Sequence, residues 1–246
     1  MKNFLGRLLL ILSILVFWEV LSRLHLLNQL ILPAPSTLFT TFIEMGLSGE
    51  LIKDVFFSLK RVLVGFLIAL ITGVPLGLFL GTNKIVKSIF LPFINFFRPI
   101  PPIAWIPLAI LWFGVGDHLS YFITMIAAFF PIFLNTLTGV ENVSPQHLDV
   151  ARCFGTSKFM VLTDVVFPFA LPYILSGVRV GLGFSWMAVV AAEMVTSFSG
   201  LGYLITIGQQ MLRLDEVIVG MVTIGFVGLL MDNVMIFIKN KFIVWL

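Results

Sequence analysis

The stretch SPQHLDVARCFGTSKFMVLTDVVFPFALP, residues 144–172, interrupts an otherwise strongly apolar chain. Its opening Ser-Pro is typical of a helix N-cap followed by the first helical residue, and Gly155 suits the left-handed residue that ends a helix. Thr156 or Ser157 can cap a second short helix. Pro168 is expected to limit that helix, because proline lacks an amide hydrogen and clashes with the preceding turn. The predicted order is helix, glycine, helix, proline.

The composition of the whole chain is that of an all-α integral membrane protein. Of its 246 residues, 59% are hydrophobic and only 11% are charged. The mean hydropathy is +1.11, which is far from the value of a soluble domain. The one cysteine, Cys153, excludes an internal disulfide. The net charge of +3 is small and the basic residues are dispersed, which argues against binding of nucleic acid.

Hydropathy predicts six membrane-spanning helices. Their approximate bounds are residues 8–21, 58–82, 85–113, 119–140, 174–194 and 217–238. The first of them could be a signal peptide, but no small-residue cleavage pattern follows it, so we expect it to be retained. Residues 26–57 contain prolines and several charges and are predicted to lie outside the bilayer. Residues 197–214 are predicted to form a short helix outside the bilayer or at its surface.

Two of the spans carry residues that predict how they pack. Gly73, Gly77 and Gly81 recur every four residues, so one helix face lacks side chains and permits close approach of another helix. The third span contains five prolines and is predicted to break near Arg98. Because a break at membrane depth needs protein or water to satisfy the freed backbone groups, this region is a candidate wall of a solute pathway.

An even number of spans places both termini and the 144–172 loop on the same side of the membrane. More basic residues fall on that side than on the other, which supports a cytoplasmic loop and cytoplasmic termini. The eight on the loop side are Lys2, Arg7, Lys84, Lys87, Arg152, Lys158, Lys239 and Lys241, and the five opposite are Arg23, Lys53, Lys60, Arg61 and Arg213. The chain is accordingly divided into an N-terminal spanning helix with an external segment (residues 1–57) and a core that carries the loop (residues 58–246).

Motifs for catalysis are missing from the sequence. It has neither a glycine-rich phosphate loop with lysine nor a pair of histidines at metal-ligand spacing. We therefore predict no catalytic residue, metal site or cofactor in this chain. Active transport by such a protein must draw its energy from a partner or from an ion gradient.

Five short motifs resemble one family of membrane proteins. DVARCFG at residues 149–155, followed after nine residues by VVFP at 165–168, resembles the Glu-Ala-Ala loop of permeases in binding-protein-dependent ABC importers. Motifs that resemble the nitrate/sulfonate/taurine branch of these permeases are LPAPS at 32–36, RPIPP at 98–102, AEM at 192–194 and SGLGY at 199–203. These motifs follow one another along the chain in the same order as in the family, and the resemblance covers nearly the whole chain.

This resemblance implies a type I ABC importer permease fold in a bacterial inner membrane, with the chain forming a homodimer. It implies two copies of a separate ATPase subunit, which would bind ATP and Mg²⁺, and an external solute-binding protein. Asp149 stands where the family has glutamate, and Val150 replaces an alanine, so these two positions are expected to affect the choice of ATPase. The residues that would contact the ATPase are Asp149, Val150, Ala151, Arg152, Gly155, Val165, Phe167 and Pro168.

Polar and aromatic residues at predicted bilayer depth are candidates for a solute pathway, since a charge there usually faces protein or water. The set consists of Arg98, Trp105, Arg179 and Glu193. Either arginine would attract an anionic solute. The other interpretation of the same charges is structural, with Arg179 or Arg98 paired with Glu193, or with the side chains reaching the membrane surface.

The predicted function is inward transport, by alternating access, of a small anionic or zwitterionic solute of the nitrate, sulfonate, taurine or bicarbonate kind. Two alternatives belong to other classes. An ion-gradient-driven secondary transporter would favour paired ionisable residues at mid-membrane and an inverted repeat, and neither is clear in the sequence. A structural membrane scaffold would have no need of a loop with the spacing found at residues 149–168.

Overall fold

In a computed structural model of the chain, which describes residues 2–24 and 31–242, every regular element is a helix. Besides α-helices, the chain contains a 3₁₀ turn at Pro102–Trp105 and a π-helical turn at Val161–Val166. The predicted all-α fold is confirmed. The helices are α1 (Lys2–Arg23), α2 (Pro35–Ser48), α3 (Glu50–Thr82), α4 (Lys84–Phe97), α5 (Ile106–Phe113), α6 (Asp117–Glu141), α7 (Pro145–Cys153), α8 (Lys158–Met160), α9 (Phe167–Thr196), α10 (Leu201–Gln210) and α11 (Leu214–Phe242).

Four helical runs in the described residues are long and apolar enough to cross a membrane, and they match the second, fourth, fifth and sixth predicted spans. These runs are Glu50–Thr82, Asp117–Glu141, Lys158–Thr196 and Leu214–Lys241. The third predicted span is α4 followed by Pro102–Phe113, two segments that meet at an angle of 88°. The predicted break near Arg98 is therefore confirmed, and prolines on both sides of the bend account for it.

The chain forms two compact units. The first joins Met1–Ser58 to Glu193–Phe226, and the second joins Leu59–Ala192 to Val227–Leu246. The first unit therefore contains α2 and α10, which the sequence predicted to lie outside the spans. Residues 26–30 of the predicted external segment lie outside the described residues. The functional division into residues 1–57 and 58–246 stays a prediction.

In the second unit, α6 packs against glycine residues of both α3 and α9. A Cβ atom added at Gly77 would lie 2.7 Å from the Cβ of Thr136, and one added at Gly177 would lie 2.6 Å from the Cβ of Asn135. Real Cβ atoms do not approach so closely, so glycine is what lets both helices lie against α6. The predicted packing role of the α3 glycine face is confirmed. A further apolar cluster joins α5, α6 and α9 through Ile106, Ala109, Leu119, Ile123, Ala127, Ala188 and Ala192.

The second helix of the 144–172 stretch does not end at Pro168, so that prediction was wrong. Lys158–Thr196 is one helical run of 39 residues. The π turn lies directly before the proline, and within it the amide of Phe167 donates to the carbonyl of Leu162, five residues back. The extra residue in a π turn changes the hydrogen-bond register just where the ring would otherwise meet the preceding α-helical turn. The helix therefore passes through the proline.

Candidate functional site

The loop between α7 and α8 is built around Gly155. This glycine has φ +68°, in the left-handed region that favours glycine. The amide of Thr156 donates to the carbonyl of Ala151 at 3.3 Å, and the Thr156 hydroxyl donates to the same oxygen at 2.5 Å. This bond runs from the second residue after the C-cap Phe154 to the third-last residue of α7, which defines a Schellman cap. The predicted left-handed cap is confirmed.

The second helix of the loop starts directly after this cap. The side-chain oxygen of Ser157 accepts a hydrogen bond from the amide of Met160 at 3.3 Å, so Ser157, one of the two predicted candidates, is the N-cap. Only two residues, Thr156 and Ser157, separate Gly155 from the first residue of α8. Because the run from Lys158 continues to Thr196, the loop is joined to a spanning helix without a linker.

Large apolar side chains project from this loop and from the two helices that flank it, instead of packing inside the chain. Phe154 is 85% exposed, Phe159 73% and Val150 57%. An aromatic or aliphatic side chain this exposed on a polar segment is typical of a surface that a protein partner covers. Val150, which stands where the resembled family has alanine, therefore adds bulk to the exposed surface and not to the packing within the loop.

The residues implied to contact an ATPase differ in exposure. Asp149, Val150, Gly155 and Phe167 are exposed, Val165 and Pro168 are half-buried, and Ala151 is buried. The side chain of Arg152 lies outside the described part of the chain. The role of these residues in binding an ATPase stays a prediction.

The bend in the third span holds two of the predicted pathway residues. Arg98 is exposed at the end of α4, and it makes no ion pair within the described residues. Trp105 is half-buried, and its ring centroid lies 6.1 Å from that of Phe97. Both rings line a cavity of about 410 Å³ whose lining side chains are all apolar, with Trp112, Phe122, Met125 and Phe129 among them. Such a lining suits hydrocarbon better than an anion.

Arg179 makes a structural ion pair, as one of the two interpretations expected, but its partner is Asp232 and not Glu193. The guanidinium donates from Nε to one carboxylate oxygen at 2.6 Å and from Nη2 to the other at 2.8 Å. The two side chains are 40% and 45% exposed. A two-point bond of this kind fixes both groups, and it joins α9 to α11 within the second unit. The sequence could not choose between the two acidic partners because both lie in spanning segments.

Glu193 is fully buried in the first unit and holds the start of α10. The hydroxyl of Ser58 lies 2.8 and 2.9 Å from its two carboxylate oxygens and donates to them, and the amide of Gly202 donates to it at 3.0 Å. The Ser58 oxygen in turn accepts from the amide of Leu201 at 2.9 Å. The carboxylate therefore satisfies one free amide of the helix N-terminus directly and a second through Ser58, and its charge interacts favourably with the helix dipole.

Gly200 completes this arrangement. Its amide donates to Asp54 at 2.8 Å, and its φ is +105°. A Cβ atom at this position would lie 2.4 Å from the carboxylate of Glu193, so only glycine fits. The AEM and SGLGY motifs are therefore two parts of one packed junction. Sequence reasoning missed Ser58 and Asp54 as members of it, and no local pattern marks them.

The chain is similar to known membrane proteins in sequence and in fold. A family model described as "Binding-protein-dependent transport system inner membrane component" matches residues 73–242. A protein of Methanocaldococcus jannaschii named as an ABC transporter permease is 41% identical over 235 residues, which cover 94% of this chain and 88% of that protein.

Relatives with named solutes are also similar over most of their length. The bicarbonate transport system permease protein of Synechococcus elongatus is 35% identical, covering 96% of this chain and 85% of its own. The taurine transport system permease protein of Escherichia coli is 31% identical, covering 89% and 82%. A chain of the MetNI methionine ABC transporter, crystallised facing inward, matches with a TM-score of 0.70 at 18% identity over 80% of this chain and 98% of that one. At that identity the match shows the fold alone.

Proposed function

Because this chain belongs to the family of binding-protein-dependent transport system inner membrane components, we propose that it is the permease through which a separate ATPase drives import of a small solute. The observation that carries the proposal is the exposed apolar loop at Gly155, which continues directly into a spanning helix. A cleft on the ATPase that closes around Phe154 and Phe159 would move that helix.

The proposed topology has six spans with both termini in the cytoplasm. Five of the spans are the four long helical runs and the bent α4 to α5 segment. The sixth is α1, whose 22 residues give a length of about 33 Å at about 1.5 Å per residue. This topology puts α7 and α8 in the cytoplasm, on the side where an ATPase lies. It puts α2 and α10 on the external side, where a solute-binding protein would deliver its solute.

The proposed solute is a small anion or zwitterion. Relatives that are similar over most of this chain are named for bicarbonate and taurine, which belong to these two classes. The proposed assembly is a homodimer of this chain with two copies of the ATPase, and ATP and Mg²⁺ are bound by the ATPase. Within this proposal, Arg98, Trp105, Arg179 and Glu193 remain candidates for the pathway. Glu193 is the weakest of the four, since its carboxylate is already enclosed.

One observation favours a second function. The Arg179–Asp232 pair joins two spanning helices, and paired charges within the membrane are typical of ion-gradient-driven transporters. The family and its named relatives support the ATP-driven importer instead. The two functions differ in their source of energy, which can be measured.

Uptake into proteoliposomes tests the proposal. We expect radiolabelled bicarbonate, taurine or nitrate to accumulate only when the permease is reconstituted with its ATPase and solute-binding protein and supplied with Mg-ATP. The same vesicles supplied with a non-hydrolysable ATP analogue are the matched control and should give no uptake. Accumulation driven by a proton or sodium gradient without the ATPase would establish the second function.

A further inference from the structure

We infer that α2 lies in the external surface of the bilayer, with one apolar face inserted among the lipids. That face, called here the α2 lipid face, consists of Phe39, Phe42, Ile43 and Leu47. The inference rests on the proposed topology, and it changes the sequence prediction that this segment lies outside the bilayer.

The helix has three distinct sides. At about 100° per residue, the α2 lipid face occupies a continuous arc, and its members are 42–84% exposed. The next arc is polar and exposed, with Thr40, Glu44 and Ser48. The third arc is buried and contains Thr41 and Met45, each 4% exposed. A helix surrounded by water would have no reason to separate its exposed residues into one apolar and one polar side.

The contacts of α2 place it where three spans end. At its start, the amide and hydroxyl of Ser36 donate to Glu19, one turn before the end of α1, at 3.0 and 2.8 Å. In its middle, the hydroxyl of Thr41 donates to Asp215, the second residue of α11, at 2.9 Å. At its end, only Gly49 separates it from α3. The ends of spanning helices lie at the membrane surface. Because α2 is attached to the ends of α1, α11 and α3, it lies at that surface too.

Lipid is the occupant that fits the exposed apolar side. The α2 lipid face carries no charge, and apolar exposure continues past Gly49 with Ile52 and Phe56 of α3, which are 65% and 64% exposed. Those two side chains belong to a spanning helix, whose exposed apolar side chains face hydrocarbon. Interfacial helices insert an apolar face by about 5–10 Å and keep a polar face in water, which is the division seen in α2.

Accessibility of nitroxide labels tests this inference on the full-length protein in lipid vesicles. Single cysteines are placed at positions 39, 43 and 47 and, as matched controls one residue further on, at 40, 44 and 48, in a Cys153→Ser background. Oxygen concentrates in hydrocarbon, whereas a nickel chelate stays in water. We expect oxygen to reach the first set better and the nickel chelate to reach the second set better, with a period of about 3.6 residues. A label at Leu229, exposed in α11, gives the hydrocarbon reference.

Two results would overturn the inference. Labels at 39, 43 and 47 that the nickel chelate reaches as readily as the control positions would place this side in water. Labels that neither reagent reaches would show that protein covers it, either a second copy of the chain or a solute-binding protein. The measurement needs no ATPase, ATP or solute. Its failure therefore leaves ATP-driven uptake untouched, and a failure of uptake would leave the label pattern unchanged.

Discussion

Replacing Gly155 by proline is expected to abolish ATP-driven uptake while the chain still inserts and assembles in the membrane. The glycine has φ +68°, whereas proline is held near −65°, so the loop cannot keep its Schellman cap. A Cβ atom at this position would meet nothing within 4 Å. The substitution therefore disturbs the backbone conformation of the loop and not the packing around it. Uptake into proteoliposomes and ATP hydrolysis by the complex measure the loss together.

Gly155→Asn is the matched control, because asparagine tolerates the left-handed conformation better than other residues with a side chain. We expect this variant to keep most of the uptake, and Gly155→Ala to fall between the two variants. If the proline variant transported as well as the wild type, the loop would not need its cap and the proposed coupling would be wrong. Equal losses in the proline and asparagine variants would instead assign the effect to the side chain.

Replacing Gly200 by alanine is expected to lower the stability of the protein strongly, because the new methyl group meets both a backbone and a side-chain conflict. The positive φ of +105° costs about 1–3 kcal/mol for a residue with a side chain. The new Cβ, 2.4 Å from the buried Glu193 carboxylate, adds about 1–3 kcal/mol of overpacking. At about 2–4 °C per kcal/mol for a chain of this size, the thermal midpoint in detergent should fall by on the order of 5–20 °C.

Gly225→Ala is the matched control for this variant. Gly225 belongs to the same unit, and a Cβ atom there would meet nothing within 4 Å. Within a helix, alanine is favoured over glycine by about 1 kcal/mol, so this variant should be as stable as the wild type or slightly more stable. An unchanged midpoint for Gly200→Ala, measured by the fraction that stays monodisperse after heating, would contradict the described junction.

The features that the sequence predicted correctly depend on neighbours along the chain. Apolar run length marks the long spans, and proline density marks the bend after Arg98. The cap at Gly155 and the N-cap at Ser157 also follow from a few adjacent residues. Each is set by backbone chemistry within one or two helical turns, so a single sequence contains the information.

The features that the sequence did not predict depend on partners far along the chain. Ser58 and Glu193 are separated by 135 positions, and no pattern of residues announces their hydrogen bond. The same holds for Arg179, which lies within reach of Asp232 only because α9 and α11 pack together. Pro168 was misjudged for another reason, since a π turn before it removes the conflict that normally ends a helix at proline.

The close packing of α3 on α6 was predicted only in part. The glycine face extends to Gly65, where an added Cβ atom would lie 2.6 Å from the carbonyl oxygen of Tyr121. Ala69, fully buried, fills the position between Gly65 and Gly73. A search for glycines alone stops at the alanine, although alanine serves the same purpose in close helix packing.

The central claim is that the loop at Gly155 binds the ATPase, and site-specific photocrosslinking tests it most directly. A benzophenone side chain replaces Phe154 or Phe159 in the assembled transporter, and Phe39, which is 65% exposed and lies on the proposed external side, serves as the control position that the ATPase cannot reach. We predict covalent adducts with the ATPase from positions 154 and 159 and none from position 39. A complex that hydrolyses ATP and takes up solute, yet gives no adduct from either loop position, would contradict the claim.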